Sequence, residues 1–128
     1  MKYLTKITNK VVVKPNFLWD IERGLKDIQN GKIQRELMND GTILKCNATG
    51  RRLSENSALM ELWLYSNVDP TEDIKEAFNA EQFEDDLNTH FEHYELKCEV
   101  FDLQNEKPVK IYSTNEVFGN RDDTSHEK

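Results

Sequence analysis

The chain has 128 residues, with 24 carboxylates against 17 Lys and Arg and a formal net charge of −7. That length suits one domain with a core of its own, held without metal or disulfide staples. The longest purely apolar run is Val11-Val12-Val13, far short of a membrane span, and the N-terminus has no secretory signature. A soluble, cytoplasmic protein is expected, and the net negative charge argues against direct nucleic-acid binding.

Residues 3–14 are rich in β-branched side chains and end at Pro15, which predicts one long strand or a hairpin turning at Thr8-Asn9. Asn16 then offers an N-cap. Leu18, Ile21, Leu25 and Ile28 form one apolar stripe on a helix that stops at Asn30-Gly31, flanked by Phe17 and Trp19. Gly24 in mid-helix marks a close backbone approach. Residues 32–40 hold too few apolar side chains to assign.

From Thr42 to Asn67 the pattern has period two. Leu44, Cys46 and Ala48 share one strand face, and a polar loop, Thr49 to Asn56, follows. Ala58, Met60, Leu62 and Leu64 share a face of the next strand, while Leu59, Trp63 and Tyr65 lie on its other face. A strand apolar on both sides is expected at the centre of its sheet. Cys46 and Cys98 sit in strands with no CxxC or Cys/His grouping, so both are expected to be reduced core thiols.

Asp69-Pro70-Thr71-Glu72 is the clearest local signal, an N-cap, a first-turn proline and a capping-box carboxylate. Ile74, Ala77 and Phe78 begin the apolar stripe of that helix. Phe83, Leu87, Phe91 and Tyr94 continue it out of phase, and Asn79-Ala80-Glu81-Gln82 reads as a second capping box, so a break or kink is expected there. Glu95–Leu103 and Val109–Ser113 read as a final hairpin.

The resulting fold class is α+β: a single antiparallel sheet with two helices on one face, of ferredoxin-like (split βαβ) topology with an extra strand or two. Residues 1–118 form the domain and 119–128 a flexible polar tail.

Ten carboxylates fall between Asp69 and Glu95 with Lys75 as the sole basic residue, a local charge of −9 that leaves about +2 on the rest of the chain. Charge runs commonly mark no more than a solvated helix face. Such faces usually intersperse Lys and Arg, because opposite charges at i,i+4 stabilise by ~0.2–0.5 kcal/mol each. Only Lys75 does so here, which points to countercharge supplied by a partner. The leading expectation is therefore a non-catalytic acidic protein-binding domain. Glu76, Glu81, Glu84, Asp85, Asp86 and Glu92 would dock on a basic, nucleic-acid-binding type of site on a larger protein and inhibit or regulate it. A phage or mobile-element accessory inhibitor is its most concrete form.

Three other constellations bear on function. Arg51 and Arg52, in the polar loop near Lys45, form an alternative site for a small anion or nucleotide, with Trp63 or Tyr65 stacking. Together with the acidic helix they also allow a homodimer. Asp86, His90 and His93 fall at i, i+4 and i+7, one helix face, but no fourth ligand is identifiable and neither a metal nor another cofactor is expected. An aromatic strand face that stacks single-stranded RNA would need a basic surround, for which Lys6, Lys10, Lys14 and Lys110 are the candidates. The chain has none of the common catalytic signatures, no GxSxG, Walker A, HExxH or recognisable Cys/His couple.

Overall fold

The computed structural model describes residues 1–77 and 88–119. A run free of Gly and Pro lets residues 3–13 extend as one strand, β1 (Tyr3–Val13), with no hairpin at Thr8-Asn9. Pro15 then opens a 3-10 turn, Pro15–Phe17, that leads into α1 (Leu18–Gln29). The turn consumes Asn16, so Phe17 precedes α1 instead and makes no side-chain cap. Gly31, at φ 78°, ends α1 and starts α2 (Lys32–Leu37), a helix within residues 32–40 despite their few apolar side chains.

The hairpin that follows is longer than its composition suggests. β2 (Ile43–Ser54) pairs antiparallel with β3 (Ser57–Ser66), and residues 49–54 belong to the strand. These residues are polar because β2 is an edge strand, not because they form a loop. Asp69 accepts hydrogen bonds from the Thr71 backbone N–H at 2.9 Å and the Thr71 hydroxyl at 2.6 Å, holding the start of α3 (Thr71–Ala77). β4 (Phe91–Asp102) and β5 (Val109–Gly119) form the last hairpin, reaching beyond the expected bounds at both far ends. The anticipated break at residues 79–82 and the tail from residue 120 lie outside the described residues, while Gly119 closes β5.

All pairings are antiparallel, in the order β2-β3-β1-β4-β5. The α+β class with one antiparallel sheet is present. The strand order is not the typical ferredoxin-like one, and β1, not β3, holds the centre.

Register explains where the core sits. Ile7, Val11 and Val13 of β1 point to one face together with their cross-strand neighbours. Ile21 of α1 packs there on Val11, Val13 and Ala58, and Ile74 of α3 packs there on Cys98 and Val100 beside Ile7. Both helices thus cover the same face. The close approach in this layer is at Gly50 of β2, where an added Cβ would meet Leu25 and Ile28 of α1 at 3.0 Å; Gly24 has only Met60 nearby, at 3.8 Å. Among the described residues, no helix is long and apolar enough to cross a membrane.

Candidate functional site

Side chains alternate along a strand, so the residues opposite the helices form a second face, and the register lays them out in rows across five strands. The first row reads Lys45, Tyr65, Leu4, Phe101, Lys110 from β2 to β5. An aromatic–aliphatic–aromatic bar thus spans the three inner strands, with a lysine at each end. The next row brings Trp63 beside Lys6 and Glu99. Further along, Arg51, Leu59, Lys10 and Glu95 make another.

This face carries six basic residues, Lys6, Lys10, Lys45, Arg51, Lys97 and Lys110, against three acidic ones, Glu61, Glu95 and Glu99, a net +3. The bases are interleaved with the rings. The Lys6 ammonium lies 5.7 Å from the Phe101 ring centre and that of Lys45 lies 5.6 Å from Tyr65, both within cation–π reach. Tyr65, Trp63 and Phe101 are half-buried, and no described residue forms a layer over them.

Glu99 sits among the lysines. Lys110 donates to its carboxylate at 3.1 Å. That hydrogen bond holds the Glu99 carboxyl below the ordinary carboxylate range; burial opposes the shift, and the charges of Lys97, Lys110 and Lys6 add to it. Lys14, expected to join the basic surround, does not: its ammonium donates to the Asn88 carbonyl.

Arg51 and Arg52 are neighbours in sequence but not in direction. Arg51 pairs with Leu59 on the open face, whereas Arg52 pairs with Ala58 on the helix side, where its guanidinium meets Glu22 of α1 and donates to the Glu55 carbonyl. Both still border an open depression between α1 and β2, near Gln29 and Gln34. Trp63 and Tyr65 lie on the other face from it.

Of the acidic residues singled out, Glu76 is exposed on α3 and Glu92 is exposed at the start of β4. Glu72 and Asp73 are exposed beside Glu76, and Lys75 pairs with Glu72 at 3.2 Å. Glu81, Glu84, Asp85 and Asp86 lie outside the described residues.

His90 and His93 do not share a helix. His93 is on β4 opposite Val12, with Glu95 3.7 Å from its Nε2. His90 turns the other way, its Nδ1 3.0 Å from Asp20 of α1 and its ring 4.2 Å from that of Phe17. The helical spacing behind a metal site with Asp86 is thereby lost. Among the described residues no group of three or more His, Cys, Asp or Glu converges on a point.

A cavity of about 260 Å³ lies between α1 and the sheet, lined by Val11, Ile21, Leu25, Met60 and Phe91 with Asn9, Asp20 and Tyr94 as its polar members. Burial raises the Tyr94 hydroxyl pKa, partly offset by a hydrogen bond with Asn9. Burial also pushes the Cys98 thiol up to about 12, helped by the adjacent Glu99 charge, and raises that of Cys46. Both thiols are free.

No protein-family model matches this chain, and a search of curated proteins finds no match either.

Proposed function

We propose that the protein is a non-catalytic binding domain whose acidic segment, Asp69 to Glu95, docks on a basic site of a larger protein and inhibits or regulates it. The observation that carries this reading is the separation of charge between layers. Glu72, Asp73 and Glu76 are exposed on the helix side with Lys75 alone among them, while Lys6, Lys45, Lys97 and Lys110 sit on the opposite face of the sheet. Lysines on the far face are poor counterions: packed layers are about 10 Å apart, and the screening length at physiological salt is about 8 Å. The acids of α3, with Lys75 alone beside them, are left to find countercharge in a partner.

A pull-down from host lysate at low and moderate salt, with wild type beside the Glu84→Lys/Asp85→Lys/Asp86→Lys variant, tests it. One dominant basic protein held by the wild type and lost by the variant is the expected outcome. Unchanged capture by the variant overturns it.

A ferredoxin-like core accompanies the proposal, with β1 to β4 as the split βαβ unit and β5 added at the edge. Supporting it, β1 lies between β3 and β4, and α1 and α2 carry the chain past β3 to β2. A second functional reading, a small-anion or nucleotide site at Arg51 and Arg52, is favoured by the depression that both border. It predicts that changing both to Ala abolishes ligand binding and leaves protein capture intact.

A further inference from the structure

We infer that the face of the sheet opposite α1 and α3 is a docking surface for a single strand of nucleic acid, with Tyr65, Phe101 and Trp63 as stacking platforms and the lysines around them as phosphate partners. The net charge of the chain opposes this, and the structure removes the objection. The face itself is +3, and the acidic helix α3 lies on the other side of the sheet. At physiological salt a charge more than about 8 Å away is largely screened, so the local surface decides what approaches it.

The pattern of the face selects among anionic partners. Tyr65 and Phe101 are two strands apart, about 10 Å, with Leu4 between them, and Trp63 is two residues along the strand from Tyr65, about 7 Å. Flat rings at such intervals, each with an ammonium beside it, match a polymer that alternates flat bases with phosphates. An acidic peptide would use the lysines and leave the rings idle. A duplex hides its base faces, and a rigid cylinder touches a broad sheet along a narrow line. A second copy docking face to face would bring +3 against +3.

Of the three acids on this face, Glu99 stands beside Lys6 and next along β4 from Phe101, paired with Lys110. It lowers affinity for phosphate and makes the surface tunable, which supplies a test that does not depend on damaging the protein. Fluorescence anisotropy with labelled 12-nucleotide oligo-uridine and oligo-deoxythymidine, at 25–200 mM salt, reads the binding of the full chain. Expected are saturable binding and a slope of log affinity on log salt of about −2 to −4, from three to six phosphates neutralised. Glu99→Gln should tighten binding severalfold, and Tyr65→Leu and Phe101→Leu should each weaken it about tenfold, with circular dichroism and melting temperature near wild type.

No binding of either oligonucleotide at 25 mM salt, by wild type and Glu99→Gln alike, overturns the inference. So does equal binding of a duplex or of polyglutamate that is indifferent to both Leu variants, which would reassign the face to simple anion attraction. Failure of the acidic-segment pull-down would leave these measurements untouched, since they read Tyr65, Phe101 and Glu99, none of which is changed there, and the acids of α3 lie on the opposite side of the sheet.

Discussion

Lys110 of the edge strand β5 reaches diagonally across the sheet to Glu99 of β4, donating to its carboxylate at 3.1 Å on the face opposite α1 and α3. The pair ties the last hairpin together and keeps one negative charge inside a ring of lysines. Its consequences are electrostatic first.

A carboxyl whose folded pKa is depressed contributes stability above its unfolded value, about 4.3 for Glu, and loses that contribution as pH falls through the folded value. Glu99 is such a group. Glu99→Gln should lower stability by about 0.5–1 kcal/mol at pH 7, since Lys110 is half exposed and the pair is partly screened. The difference from wild type should close below about pH 4. Urea midpoints from pH 3 to 7 check this, and a constant gap across that range would refute the assignment.

Arg51 and Arg52 should separate binding from stability. Arg51→Ala, on the open face, is expected to weaken oligonucleotide binding severalfold and leave the urea midpoint within about 0.5 kcal/mol of wild type. Arg52→Ala loses Glu22 and the Glu55 carbonyl, so it should cost about 0.5–1 kcal/mol of stability and leave oligonucleotide affinity unchanged. The same effect of both variants on binding would mean that the two side chains act at one site.

Two glycines should respond in opposite directions to alanine. Gly119 sits at φ 87°, and a Cβ there would stand 2.5 Å from the Glu92 carbonyl oxygen. Gly119→Ala should destabilise by about 1–3 kcal/mol, through the left-handed backbone and the clash together. Gly24 is inside α1 with its nearest neighbour at ordinary contact distance. Gly24→Ala should stabilise by about 0.4–1 kcal/mol by restricting the unfolded chain. Chemical denaturation of both variants decides the matter.

The cysteines should differ in reactivity. Cys98 is fully buried with its thiol pushed up to about 12, whereas Cys46 is half-buried on β2. Ellman's reagent at pH 8 should modify Cys46 slowly in the folded protein and reach Cys98 only through unfolding. One thiol per chain in buffer and two in denaturant is the expected count. Rapid modification of both in buffer would show that the packing around Val100 and Ile74 is looser than the structure has it.

Residues close in sequence announced the local elements. Asp69 and Pro70 mark the start of α3, Leu18 to Ile28 place the buried side of α1, and the alternation from Ala58 to Tyr65 assigns both faces of β3. These are read from propensity and period, which act within a few residues. Phe91 and Tyr94 were misleading because their spacing of three resembles a helix turn. The structure explains the spacing by the irregularity that pairs Val13 with Phe91 but Val12 with His93, so that both rings reach the core from a strand. His90 and His93 likewise face different surroundings, which removes the helical face that a metal site with Asp86 requires.

By itself, the sequence determined the α+β class, the reduced thiols and the concentration of acid between Asp69 and Glu95, because composition and short-range period suffice for those. Only the tertiary structure decided that Lys45, Tyr65, Leu4, Phe101 and Lys110 stand in one row. They come from five strands and as many parts of the chain, and strand order and register, set by long-range pairing, are what bring them side by side. Likewise, a net charge of −7 is a property of the sequence, but the placing of the α3 acids on one side of the sheet and of six basic residues on the other is a property of the fold. The physical reason is that charge acts over the few ångströms that screening allows, and sequence separation does not measure that distance.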